Sequence, residues 1–145
     1  MKDFEVPVRD AEKVQQATER KSSQIMELLG MKGKLTQSGA LPSPCSEDGS
    51  ESGTLQAYHP WSVYGVPNEE LTSAMGRLRE RLPKNGWRII KEGPDGTASK
   101  APQIVADSTD KEFSADIRLS VEPAGSDKTS LIEVTVVSAC FRKQK

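Results

Sequence analysis

The chain has 145 residues, 34% of them hydrophobic, and a formal net charge of −1. That length suits one domain with an arm, and the near-zero charge gives no long-range steering towards nucleic acid or acidic lipid. No apolar run approaches the roughly 20 residues that a membrane-crossing helix needs, and Met1-Lys2-Asp3-Phe4-Glu5 leads into polar sequence without the pattern of a signal peptide.

Two histories fit that start: a cytosolic protein, or an exported one whose targeting residues have been removed. The apolar residues are unevenly spread. Residues 1–38 read as an N-terminal arm with a helix, 39–53 as a flexible loop, and 54–142 as an α+β core of roughly 90 residues, enough to fold alone.

In chain order, residues 10–29 form the first helix candidate. Asp10 is placed to cap its start and Gly30 to end it. Its apolar stripe of Ala11, Val14, Ala17, Ile25, Met26, Leu28 and Leu29 is interrupted by Arg20, Lys21, Ser22 and Ser23, so packing is expected mainly through the last turn. Residues 34–38 suit a short strand. Residues 39–53 are rich in Ser, Pro, Gly and acidic residues and have little to bury beyond Leu41 and Cys45. The acidic cluster Ser46-Glu47-Asp48-Gly49-Ser50-Glu51 lacks the ligand spacing of an EF-hand and reads as solvated loop.

Leu55, Ala57, His59, Trp61 and Val63 share one parity, with Gln56, Tyr58, Ser62 and Tyr64 opposite. Pro60 lacks a ladder N–H, which predicts an edge strand or one that starts at Trp61. A helix follows from residue 67 or 68 to 82, because Leu71, Ala74, Met75, Leu78 and Leu82 fall on one face. Pro83 stops it. Strands are then predicted at 87–91 and 103–106, separated by the turn Gly93-Pro94-Asp95-Gly96. The strongest signal comes last. Phe113, Ala115, Ile117, Leu119 and Val121 alternate with polar residues, and the β-branched run 131–137 follows a turn-rich segment, which reads as a hairpin. Continuing that parity places Cys140 on the apolar face of the last strand. The sum is an α+β fold: a mostly antiparallel sheet with one helix packed on a face, plus the N-terminal helix.

Chemistry is sparse. His59 is the single histidine, so His-pair metal sites are excluded, and Cys45 with His59 matches no local cysteine-protease pattern. No glycine-rich phosphate loop is present. Arg77, Arg79, Arg81, Lys84, Arg88 and Lys91 could form a phosphate patch, but Glu80 and Glu92 compensate them and no aromatics interleave, which favours a solvated helix end. Tyr58, Trp61 and Tyr64 could form a contact surface or simply pack. Cys45 and Cys140 lie outside any CxxC pattern. Two independent thiols are the alternative, but one structural Cys45–Cys140 disulfide is the expectation, because a cysteine in so open a loop makes more sense tethered, and the bond would imply an oxidising compartment.

Trp61-Ser62-Val63-Tyr64-Gly65-Val66-Pro67, Glu70-Leu71, Leu82-Pro83 with Gly86-Trp87, and Val137-Ser138-Ala139-Cys140 together resemble small actinobacterial, Streptomyces-like cell-envelope lipoproteins over about residues 40–142. Such proteins carry a signal peptide and a lipobox cysteine, neither of which stands in this sequence. The resemblance implies export and lipid anchoring but no activity. The expectation is therefore a non-enzymatic, extracellular or envelope-located monomer, without cofactor, metal or nucleic-acid partner, that binds or supports another envelope component. It would touch a membrane only through a lipid anchor. A secreted inhibitor or small-molecule carrier is the alternative, and an intracellular enzyme with an unrecognised site is the third reading.

Overall fold

Alternation builds the sheet and helical periodicity covers it. A computed structural model describes residues 6–36, 39–45, 53–123 and 125–144. The order is β1 (Val8–Arg9), α1 (Ala11–Leu29), β2 (Lys34–Leu35), β3 (Leu41–Pro44), β4 (Thr54–Tyr64), α2 (Asn68–Arg81), β5 (Trp87–Pro94), β6 (Pro102–Ser108), β7 (Phe113–Ser120), β8 (Leu131–Ser138) and β9 (Phe141–Lys143). A 3₁₀ turn, Leu82–Asn85, ends α2. The fold is α+β, with a mostly antiparallel sheet and two helices.

β4, β8, β7, β6 and β5 run antiparallel, side by side in that order. Beyond the end of β8, β9 pairs with the start of β4, and β1 adds a parallel pair to β9. β2 and β3 both lie on the other side of β4. Register puts one parity on one face: Trp61 opposes Val134 and Val134 opposes Ile117, while Val63, Ile132 and Leu119 form the next row. Ile104 and Ala106 of β6 continue that face. These residues are buried in a single cluster with Ile25 and Leu29 of α1 and Leu71, Ala74, Met75 and Leu78 of α2. Removing so much apolar surface from water is the main source of stability.

The helix ends follow local rules. The Asp10 carboxylate accepts the Glu12 and Lys13 amides, at 2.9 and 3.4 Å. Gly30 ends α1 in the left-handed region at φ 67°. Two arginines of α2 complete that end: Arg77 Nε donates to the Leu29 carbonyl at 2.8 Å, and Arg81 donates to that of Leu28 at 3.1 Å. Both cations meet carbonyls left without intrahelical partners, where the helix dipole also favours positive charge. A Cβ on Gly30 would lie 2.9 Å from the Arg81 guanidinium and 3.0 Å from that of Arg77 and would displace these flexible side chains, while the positive φ is what calls for glycine.

Several expectations change. The buried positions of α1 are Thr18, Ser22, Ile25 and Leu29, so its inward face is not confined to the last turn. The stripe continues through small polar residues, whose hydroxyls find partners: Thr18 donates to the Val14 carbonyl at 2.8 Å. Residues 41–44, expected within a loop, form β3, which pairs with β4 from Leu41↔Tyr58 to Pro44↔Leu55. Pro42 and Pro44 hide this strand from propensity, yet prolines are tolerated where a missing N–H faces outwards. β4 is not an edge strand but is flanked on both sides. Pro60 sits in it opposite Thr135, in the stretch that β2 and β3 leave uncovered, where a missing N–H disturbs least. β5 runs through Gly93 and Pro94, paired with Gln103 and Pro102, so only the tip of the predicted turn is a turn. A bulge between Ile89 and Lys91 interrupts this register.

Candidate functional site

Cys45 and Cys140 form a disulfide, with Cα atoms 5.9 Å apart and a sequence separation of 95. The sheet brings them together. Cys45 follows β3 and its amide donates to the Thr54 carbonyl at 3.1 Å, while Cys140 precedes β9, whose Phe141 pairs with Leu55. The bond therefore clasps the first residues of β4 from two sides. Burial departs from the sequence expectation at Cys140. Cys45 is only 1% exposed, whereas Cys140 lies beyond the end of β8 and is half-buried. Parity placed Cys140 on the apolar face because it presumed that the strand continued; pairing with β8 stops at Ser138.

Tyr58, Trp61 and Tyr64 separate as their parity requires. Trp61 is on the helix-covered face and 8% exposed, while Tyr58 and Tyr64 are on the other, Tyr58 opposite the exposed Leu41. Among the described residues, the basic run does not assemble into a patch. Arg77 and Arg81 serve the end of α1, Arg77 also pairs with Glu70 at 3.0 Å, and Arg79 pairs with Glu92. Lys84, Arg88 and Lys91 are exposed. No sequence pattern singled out the capping role, because the partner carbonyls lie 48 to 53 residues away.

Two aspartates have carboxyls held below the ordinary range. For Asp110 the chief cause is the Ser108 hydroxyl, followed by the Glu112 amide; for Asp95 it is the Thr97 hydroxyl and then its amide. Both sit in turns between strands, and their role is to fix those turns. Among the described residues, no group of three or more His, Cys, Asp or Glu is placed to hold a metal, and no helix is long and apolar enough to cross a membrane. The acidic cluster at 46–51 lies outside the described residues.

Among the described residues a groove of about 590 Å³ lies between α1 and β4, within the range of about 300–1,000 Å³ usual for small-molecule sites. Ser22, Met26, Leu35, Thr36, His59 and Trp61 line it. The α1 stripe supplies Ser22 and the inward parity of β4 supplies His59 and Trp61. Ser22 Oγ and His59 Nδ1 are 2.7 Å apart. This is a serine–histidine contact, but Ser22 is 4% exposed and lies within α1, where backbone amides are bonded inside the helix and cannot converge on an oxyanion. The contact ties helix to sheet. Trp61 differs: its indole nitrogen is buried and has no hydrogen-bond partner. By contrast, Trp87 donates its indole N–H to Gln24 at 3.1 Å. The pairing of α1 with β4 created this groove, and the sequence signalled it only through the shared parity of His59 and Trp61.

Comparison of the chain with protein-family models, with curated proteins and with solved structures finds no match, so the disulfide and the groove are what its function must be read from.

Proposed function

We propose that the chain is a non-catalytic binding domain of an exported, cell-envelope protein, held near the membrane by a lipid anchor outside this sequence and engaging another envelope component. The observation that carries the reading is the Cys45–Cys140 bond. Disulfides persist in oxidising compartments and are rare where thiols are kept reduced, and a small domain outside the cell gains from such a staple. The resemblance to small envelope lipoproteins supports the same compartment. The non-catalytic part rests on Ser22, whose hydroxyl is buried against His59 rather than presented to a substrate. A carrier role within the envelope is the second reading, favoured by the groove under α1.

The test is fractionation of the native host with antibodies to this domain, combined with thiol alkylation of the recovered protein under denaturing conditions. Envelope-associated protein with no alkylatable thiol is expected. Cytosolic protein with two alkylatable thiols would overturn the proposal. Cross-linking on intact cells would then identify the neighbour.

A further inference from the structure

We infer that Asn85–Gly86 is a self-modification site: the Asn85 side chain deamidates through a ring closed by the Gly86 amide, and α1 sets how fast. The inference is independent of the envelope reading and holds in any compartment.

The residue pair supplies the chemistry. Gly86 has no side chain to hinder approach to its backbone nitrogen. That nitrogen gives up its proton and attacks Asn85 Cγ. The bond from Cγ to Nδ2 breaks, and Nδ2 takes up the proton and departs as ammonia. Water then opens the cyclic imide at either carbonyl, leaving aspartate or isoaspartate. Nothing is oxidised or reduced, and water is the one co-reactant. Asn85 and Gly86 are both exposed, so water reaches the site. The other asparagine, Asn68, precedes Glu69, whose side chain obstructs the same ring closure.

The fold holds each reacting group elsewhere. Asn85 ends the 3₁₀ turn that follows α2. Its Nδ2, the nitrogen that must leave, donates to the Arg81 carbonyl at 2.8 Å. The Gly86 amide, which must attack, donates to the Leu82 carbonyl, and the Gly86 carbonyl accepts the Thr109 amide at 2.8 Å. The peptide bond between the two residues is also gripped from α1. Gln24 Nε2 donates to the Asn85 carbonyl at 3.1 Å, while Gln24 Oε1 accepts the Trp87 indole N–H at 3.1 Å. Ring closure must rotate this peptide, so these bonds open first, and a local opening of that kind is far less costly than global unfolding. The rate in the folded chain therefore follows the open fraction. The product no longer fits the closed turn. A carboxylate cannot donate to the Arg81 carbonyl, and it puts negative charge just beyond the end of α2, where the helix dipole favours cations. Isoaspartate also lengthens the backbone between α2 and β5. A chain that has opened there is left permanently marked.

The test uses the intact, oxidised protein, incubated in mildly alkaline buffer with and without guanidinium chloride. Peptides are then mapped by mass spectrometry, with aspartate and isoaspartate separated. In denaturant, product should accumulate at Asn85 well before Asn68. In the folded chain it should form at Asn85 roughly 10- to 100-fold more slowly. Gln24→Ala, 61 residues away in sequence, should speed the folded rate and leave the rate in denaturant unchanged, an effect that no local sequence preference produces. Equal rates with and without denaturant would overturn the inference, as would a folded Gln24→Ala chain that reacts no faster. So would an Asn85 still intact in the folded chain after about a hundred of its half-times in denaturant. Both rates are read on the unmodified sequence, so a Gln24→Ala variant that fails to fold leaves the test intact. Asn85→Asp should melt below the unmodified protein, and an unchanged melting temperature would refute the misfit of the product.

Discussion

The two helices cover one face of one sheet in different ways. α2 meets it through Leu71, Ala74, Met75 and Leu78, all apolar. α1 meets it through Thr18 and Ser22 before Ile25 and Leu29, and there the sheet offers His59 and an unpartnered indole. The α2 side is a dry core in which contact area sets stability. The α1 side is a polar seam, stapled by a disulfide at one end of β4 and open to solvent along a groove. A helix face can thus be buried for packing or for holding a cleft in shape, and the residue types show which.

The largest expected effect tests the staple. Reduction of Cys45–Cys140 should destabilise the chain by about 4–5 kcal/mol on the chain-entropy account, and the melting temperature should fall. Hydrogen exchange should quicken first in β3 and the start of β4, while β6 and β7 stay protected. Uniform loss of protection would erase the distinction between the two sides. Next comes Leu78→Ala in α2, which should cost about 3 kcal/mol in a denaturant titration, since a fully buried side chain leaves a cavity. A cost under about half a kcal/mol would mean that α2 is not part of a tight core.

Ser22→Ala is the matching change on α1. It removes one hydrogen bond and little volume, so about 1 kcal/mol is expected, and the change should alter the His59 ring resonances more than the melting temperature. A loss as large as that of Leu78→Ala would show the seam to be core after all. The smallest effect concerns acid. Asp110 lies between β6 and β7, and a carboxyl held below 3.8 contributes stability above the unfolded value that is lost as pH falls through the lower folded value. Asp110→Asn should therefore flatten the decline of melting temperature below about pH 4 and change little at neutral pH.

The dry side was legible and the seam was not. The spacing of Leu71, Ala74, Met75, Leu78 and Leu82 is enough to place α2, and the alternation of 113–121 is enough to place β7, because both signals are local and apolar. Asp10 and Gly30 mark the ends of α1 for the same local reason. The apolar pattern is blind to Thr18 and Ser22, which are buried by the partners they find. It is blind to β3, where prolines argue against a strand that only pairing with β4 creates. It also reads β4 as an edge strand or as one starting at Trp61, neither of which holds, because Pro60 is judged before its neighbours are known. The two arginines on α2 look like surface charge until their target carbonyls, some fifty residues earlier, are in view. What sequence periodicity misses here is long-range polar partnership.

The same staple decides how the molecule would carry a mechanical load. β1 and β9 lie parallel and adjacent, Val8 beside Arg142, so a pull applied to the two ends of the chain first shears this short pair. Once it yields, tension runs through α1 to Cys45, crosses the sulfur–sulfur bond and leaves through Cys140. Everything from β4 to β8, including all of α2, lies between those cysteines in sequence and stays off the load path. A copy pulled from both ends would pay out only the residues outside the two cysteines, α1 included, while β4 to β8 and α2 stay within the closed loop.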